Sequence, residues 1–271
     1  NGLAGLALAE QTQNHRIMGY LHTVIAQIAL ATGNLQECDQ HLQEASTLAE
    51  RFSFSEVKAE VLRITGDVYR LLGCYTQAEE AYQQNIQYCF TDFTRLNNLL
   101  RLGLNYYYLG QVAEGKTLLQ QVIEKGEAIG FGAIFLPAKV TQGIITWQTG
   151  NIERAQKEAQ ELEALITKRK MISTLMQIKL QLAEIAFQGE NFETARGYLA
   201  GALNLSHTYA NPWAAISLVR PIARINPEAF NGLSPREYLQ IYLAPIETNA
   251  KMSHFWDDFR LFRDKLLTDP L

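Results

Sequence analysis

The chain has 271 residues, with 24 Lys and Arg against 28 Asp and Glu and a formal net charge of -4, which leaves no basic footprint for nucleic acid or an anionic membrane. Its three cysteines, Cys38, Cys74 and Cys89, share no CxxC spacing and leave one unpaired in any disulfide scheme, as in a reducing, cytoplasmic compartment. No stretch reaches the roughly 18 uncharged apolar residues of a membrane span. Ala128 to Ile152 comes nearest, but it carries Lys139 with Gly, Pro, Gln, Thr and Asn and reads as a helix buried by neighbours on several sides.

Residues 1–13 read as the second helix of a hairpin, because Ala9 aligns with Ala49 at an interval of 40 residues. The array would then begin part-way through a unit, as expected of a chain cut from a longer protein. Residues 14–32 form a helix with Ile17, Leu21, Val24, Ile25 and Ile28 on one broad stripe, and its partner runs from Leu35 to about Arg51. Further helices are expected at about 55–72, 76–89, 93–109 and 113–129. Pro137 should make the next helix start near Leu136 or kink there, before its partner ends at about Thr167. Lys168, Arg169 and Lys170 are a solvated connector, and a last pair spans about 172–188 and 192–208. Past Tyr209, Pro212, Pro221, Pro227, Pro235 and Pro245 break the chain into short helices, with Ser234 capping one of them, before an amphipathic helix from Phe255 to Leu267. Residues 211–271 are therefore expected to cap the array.

The units repeat. With Gly73 as a turn marker, equivalent positions fall at Gly33, Gly110, Gly150 and Glu190, giving intervals of 40, 37, 40 and 40 residues. A fixed period in this range marks stacked units that cover one another's apolar faces. Small residues stand five past each marker (Cys38, Ala78, Gly115, Ala155, Ala195) and seven before it (Ala26, Gly66, Gly103, Gly143, Ala183), where two helices can approach closely. Nine past the marker stand Leu42, Tyr82, Leu119, Ala159 and Leu199, expected as knobs between successive hairpins.

Gly66, Tyr69, Gly73, Tyr75, Ala78 and Tyr82 together resemble the tetratricopeptide repeat, and the resemblance extends over about residues 14–210. The units exceed that family's usual ~34 residues, and the family's late proline is absent. Longer units of this style resemble sensor arms of bacterial maltose-type activators and related regulatory ATPases. The resemblance implies an all-α, right-handed superhelix of five hairpins over residues 14–210, with the first helix of each hairpin lining the concave side. Positions three, six and ten before each marker would then face the groove. The first two rows are polar, with Arg63, Asp67 and Arg70 close enough to pair. The last three are Leu100, Leu104 and Tyr107; Val140, Ile144 and Trp147; and Leu180, Glu184 and Phe187. Such a ladder of large apolar side chains either binds a partner or is core. The Lys and Asn set with which some family members clamp a partner's terminal carboxylate is missing at these positions.

Catalytic chemistry finds no support. Gly110 to Thr117 fits the phosphate-loop pattern GxxxxGKT, yet both glycines already serve the repeat and the preceding residues read as helix. Cys38 and His41 would need two further metal ligands, and no nucleophile stands with a base and an acid. The expectation is a non-catalytic protein- or peptide-binding domain of a signalling protein, without cofactor or metal. A small-molecule sensor arm is the alternative, with nucleotide binding through Lys116 a remote third.

Overall fold

The computed structural model describes residues 2–148, 150 and 152–269; residues 1, 270 and 271, the outermost positions of the expected terminal segments, lie outside the description. Every regular element among the described residues is helical. After α1 (Gly2–Gln11), ten helices pair as hairpins: α2 (His15–Ala31) with α3 (Leu35–Phe52), α4 (Ser55–Leu71) with α5 (Tyr75–Ile86), α6 (Asp92–Tyr108) with α7 (Val112–Ala128), α8 (Gly132–Gln148) with α9 (Ile152–Lys168), and α10 (Ile172–Gln188) with α11 (Phe192–Thr208). The first helices of successive hairpins touch one another, whereas the second helices make little or no mutual contact. The array therefore curves with α2, α4, α6, α8 and α10 on its inner side.

One backbone device closes each hairpin. Gly33, Gly73, Gly110 and Gly150 adopt φ of +79°, +75°, +79° and +95°, the left-handed region glycine enters without steric cost. The next N–H then reaches back to close the helix end, as in Asn34 to Ala29 O (2.8 Å), Cys74 to Tyr69 O (2.8 Å) and Gln111 to Tyr106 O (2.9 Å). Glu190 takes the same conformation at φ +57°, and Asn191 makes the same bond to Ala186 O at 2.9 Å. The marker thus stands for a conformation rather than for glycine. The short interval of 37 residues has a local cause as well. Most links after a second helix also use a left-handed residue, at Gln13, Ser53, Gly130, Lys170 and Ala210. The link after α5 does not: that helix ends at Ile86, short of the expected 89, and α6 begins from a Thr91–Thr94 capping box.

Three expectations are corrected. The residue nine past the marker packs within its own hairpin: a Cβ on Gly66 would lie 2.5 Å from the Tyr82 ring, and one on Gly103 would lie 3.1 Å from Leu119. These positions lie within one helical turn of the same level, seven and nine residues from the marker along two antiparallel helices. α8 starts at Gly132, with Pro137 inside it, which excludes the late start near Leu136. Proline removes a single N–H there, leaving the Ala133 carbonyl without its helical donor. Pro221 and Pro245 likewise lie inside helices rather than between them. Pro221 falls in a first turn, where N–H groups have no helical partner in any case. Pro245 frees the carbonyl of Ile241, which is itself exposed to water.

Beyond α11 come α12 (Pro212–Ser217), α13 (Val219–Ile225), a 3-10 turn (Pro227–Phe230), α14 (Pro235–Ala250) and α15 (Trp256–Thr268). Ser234 caps α14, its Oγ accepting from Glu237 N at 3.2 Å. This segment covers α10 and α11 and also runs back to the start of the array. A single apolar core joins Leu30 and Leu35 of the first hairpin, Val68 of the second, Leu199 of the fifth, and Trp213, Leu243 and Phe259. Trp213 Nε1 donates to Leu30 O at 2.7 Å, and Pro212 and Ile246 seat on Gly33, where a Cβ would come within 2.9 and 2.8 Å of them. The His254 N–H donates to Asp39 Oδ2 at 2.8 Å, and Phe255 meets the Tyr69 ring edge-on at 5.5 Å. The first, second and fifth hairpins are thereby held in one body.

Trp213→Ala should cost about 3–5 kcal/mol, the usual loss for a buried tryptophan, measured by urea unfolding. Gly66→Ala should cost about 1–3 kcal/mol by overpacking against Tyr82, and Tyr82→Leu in the same chain should recover part of it in the same assay.

Candidate binding site on the inner face

The expected groove positions divide by hairpin. In the first row Leu30 is buried beneath Trp213, and Thr23 is buried as well. In the fifth, Glu184 is paired with Arg224 of α13, whose guanidinium lies 5.4 Å from the Phe187 ring centre. Leu180 and Phe187 pack against the core that the C-terminal segment shares. The row is therefore largely occupied by the chain itself. Val140 is fully buried between α8, α9 and α10, so as a groove residue it is corrected to core. Leu100, Leu104, Tyr107, Ile144 and Trp147 remain half-buried on α6 and α8, with Trp147 Nε1 donating to Gln188 Oε1 at 2.8 Å. Leu100 and Tyr107 rest on the core beneath the third and fourth hairpins.

The second row is a charge cluster centred on Asp67, which is 8% exposed. Arg63, Asp67 and Arg70 fall on one face of α4 by their spacing of three and four, and Arg101 reaches across from α6. Asp67 accepts from Arg101 Nε at 3.0 and 2.9 Å, from the Tyr82 hydroxyl at 2.8 Å and from Arg63 Nη1 at 3.2 Å, while Arg70 Nη2 stands off at 3.7 Å. Arg63 is also tied to Glu60 and Gln27. Burial alone would raise the Asp67 pKa, but the guanidinium groups of Arg101, Arg70 and Arg63 together outweigh it and hold the carboxyl below its usual range. Burial and the Asp67 charge push the Tyr82 phenol the other way, so it stays protonated and donates.

A cavity of about 540 Å³ lies beside this cluster, bounded by residues 70–75 at the α4–α5 turn, by Tyr108, and by Trp213, Arg220, Phe262 and Lys265 of the C-terminal segment. None of the nine groove residues expected from the sequence borders it. Tyr75 was visible as the aromatic two past the marker. What the sequence could not show is that residues 213–265 fold back onto it, since that contact has no local period.

The Rap conjugation gene regulator of plasmid pLS20, solved in complex with the Phr* peptide, resembles this chain with a TM-score of 0.69 at 12% identity, covering 97% of this chain and 79% of its own. A Rap protein complexed with Competence and Sporulation Factor gives 0.66 at 13% identity, covering 93% and 74%. A signal-transduction ATPase with numerous domains from Pyrococcus horikoshii, which carries a tetratricopeptide repeat sensor, gives 0.53 at 12% identity, covering 94% and 39%. The fold is a tetratricopeptide-like solenoid. No family model matches the sequence, and no curated protein is detectably similar to it.

Within this solenoid the phosphate-loop match takes on ordinary roles. Gly110 is the hairpin turn and residues 112–117 already belong to α7, where the Gly115 N–H donates to Gln111 O at 3.0 Å and Thr117 Oγ1 to Ala113 O at 3.0 Å. Those groups are spent on the helix rather than gathered into a phosphate cradle. Cys38 is fully buried, and burial, with nearby carboxylates, pushes its thiol up to about 12. His41 pairs with His22, Nδ1 to Nδ1 at 2.7 Å. Among the described residues no three His, Cys, Asp or Glu side chains gather into a metal site, and no helix is long and apolar enough to cross a membrane.

Because the folded pKa of Asp67 is depressed, its contribution to stability is full above the unfolded value of about 3.9 and is lost as pH falls through the lower folded value. Asp67→Asn should cost about 3–5 kcal/mol at pH 7, because it leaves guanidinium groups uncompensated. Urea titrations between pH 5 and pH 2 should show the wild type losing an acid-sensitive increment that the variant lacks.

Proposed function

We propose that this chain is a non-catalytic binding module of a regulatory protein, working in the reducing cytoplasm, that takes an extended peptide segment along its inner face. The peptide's apolar side chains would rest on Leu100, Leu104, Tyr107, Ile144 and Trp147, with its backbone near the Asp67 and Arg101 cluster. The observation that carries this reading is that these five residues are half-buried on the inner face, while Leu30, Leu180, Glu184 and Phe187 are engaged by the chain's own C-terminal segment or the core it shares. A half-buried apolar ladder flanked by charge has the anatomy of a recognition surface. The likeness in fold to Rap proteins solved with a peptide or with Competence and Sporulation Factor agrees with it.

A second reading, a small-molecule sensor arm, is favoured by the cavity of about 540 Å³ beside Tyr108, a volume suited to one small organic ligand. The similarity to a signalling ATPase with a tetratricopeptide repeat sensor agrees with that alternative.

Selection from a random peptide library on immobilised protein tests the first reading. Peptides recovered on the wild type should bind a Tyr107→Ala, Trp147→Ala variant more than about tenfold more weakly, as removal of two aromatic anchors implies. Circular dichroism must show that variant to be folded. Equal affinity for both proteins would move recognition off the ladder.

A further inference from the structure

The cavity beneath the C-terminal segment carries a more specific chemistry than its size. Asp67 is shared by three guanidinium groups, and its acceptor positions are taken by Arg101, Arg63 and the Tyr82 hydroxyl at 2.8 to 3.2 Å. Arg70 stands farthest from Asp67, at 3.7 Å, and its Nε is buried without a hydrogen-bond partner. Counting Arg63, Arg70 and Arg101 against Asp67 and Glu60 leaves one positive charge over in the cluster, and Arg70 is the member that borders the cavity. Lys265 borders the same cavity from α15 and is engaged in no ion pair with a described residue. Two carboxylates and Arg220 also stand on the wall, and Arg220 offsets one of them. Asp258 accepts from Cys74 Sγ at 3.6 Å, and Asp269 lies 4.0 Å from Arg220.

The remaining wall is aromatic. Tyr75 and Tyr108 are stacked at 5.1 Å and 6°, and Trp213 lies 6.2 Å from Phe262. Flat apolar surfaces beside a surplus guanidinium match a flat apolar group bearing one carboxylate, which arginine receives through two parallel N–H donors. We propose that this cavity is a binding site for a small organic acid, its single carboxylate on Arg70 and Lys265 and its flat apolar body between the Tyr75–Tyr108 stack and Phe262. The site is distinct from the peptide ladder, because no ladder residue borders it, and it exists only where the C-terminal segment closes over the second hairpin.

Calorimetric titration with indole-3-propionate and with its amide tests this directly. The acid should bind and the amide should bind at least about tenfold more weakly, the factor expected for loss of a charge-assisted hydrogen bond. Arg70→Met should abolish the preference for the acid. Should that variant unfold, Lys265→Met and Tyr108→Ala, both at exposed positions, should each weaken the acid several-fold. A Trp147→Ala variant, with Tyr107 kept because its ring meets Tyr108 at 5.4 Å, should bind indole-3-propionate as the wild type does, so a failed ladder and a failed cavity are told apart. Gly-Gly-Phe with a free or amidated terminus separates the two sources of such a carboxylate. Tighter binding of the free tripeptide than of indole-3-propionate, lost on amidation, would support the site with a peptide end as its ligand. Equal binding of acid and amide, absence of binding by both acids, or a folded Arg70→Met variant that keeps its acid preference would overturn the proposal.

Discussion

The close approach of two helices about each left-handed turn is the constraint on which the array depends. Seven residues before the turn and five after it the side chains must be small, because the backbones come close enough that a Cβ on Gly115 would lie 2.8 Å from Gly103 O. The largest side chain at this contact, Tyr82, stands opposite a glycine, Gly66. That single placement links packing to electrostatics. The Tyr82 ring fills the gap between α4 and α5, and its hydroxyl reaches through to Asp67 on the inner face.

From Tyr82 and Asp67 the charge cluster spreads to α6 through Arg101, so the second and third hairpins are joined by ionic hydrogen bonds as well as by apolar contact. Asn98 and Asn105 of α6 add donors to the backbone of α5, at Tyr82 O (2.7 Å) and Tyr75 O (2.8 Å). Buried polar groups with partners on two elements fix their relative register, since a shift of either helix would leave them unsatisfied. The junction that dispenses with the left-handed link, between α5 and α6, is thus braced by buried side-chain-to-backbone hydrogen bonds.

The C-terminal segment changes what an array of this kind can offer. A cap that only covered the fifth hairpin would leave the whole inner face open. Here Trp213, Ile246 and Phe255 reach the first two hairpins as well, so the ends of the arc are held by one core. The same contacts engage Leu30 of the first row and Glu184 and Phe187 of the fifth, and leave a cavity of about 540 Å³ between the second hairpin and the C-terminal segment.

The repeat, its phase and the identity of the inner helices were legible in the sequence because each rests on local chemistry: a turn residue, small residues at fixed distances from it, and an apolar stripe of helical period. The pairing of Arg63, Asp67 and Arg70 was legible for the same reason, since all three lie on one helix face. Residues such as Ser53 and Lys170, which take the left-handed conformation without being glycine, gave no signal. Only the tertiary structure decided that Val140 is core, that Arg101 joins the cluster, and that residues 211–269 close a cavity over Tyr75 and Tyr108. Those outcomes depend on contacts between residues some 34 to 190 positions apart, such as Arg101 with Asp67 and Cys74 with Asp258, where no period in the chain specifies a neighbour and burial of apolar surface selects the partner.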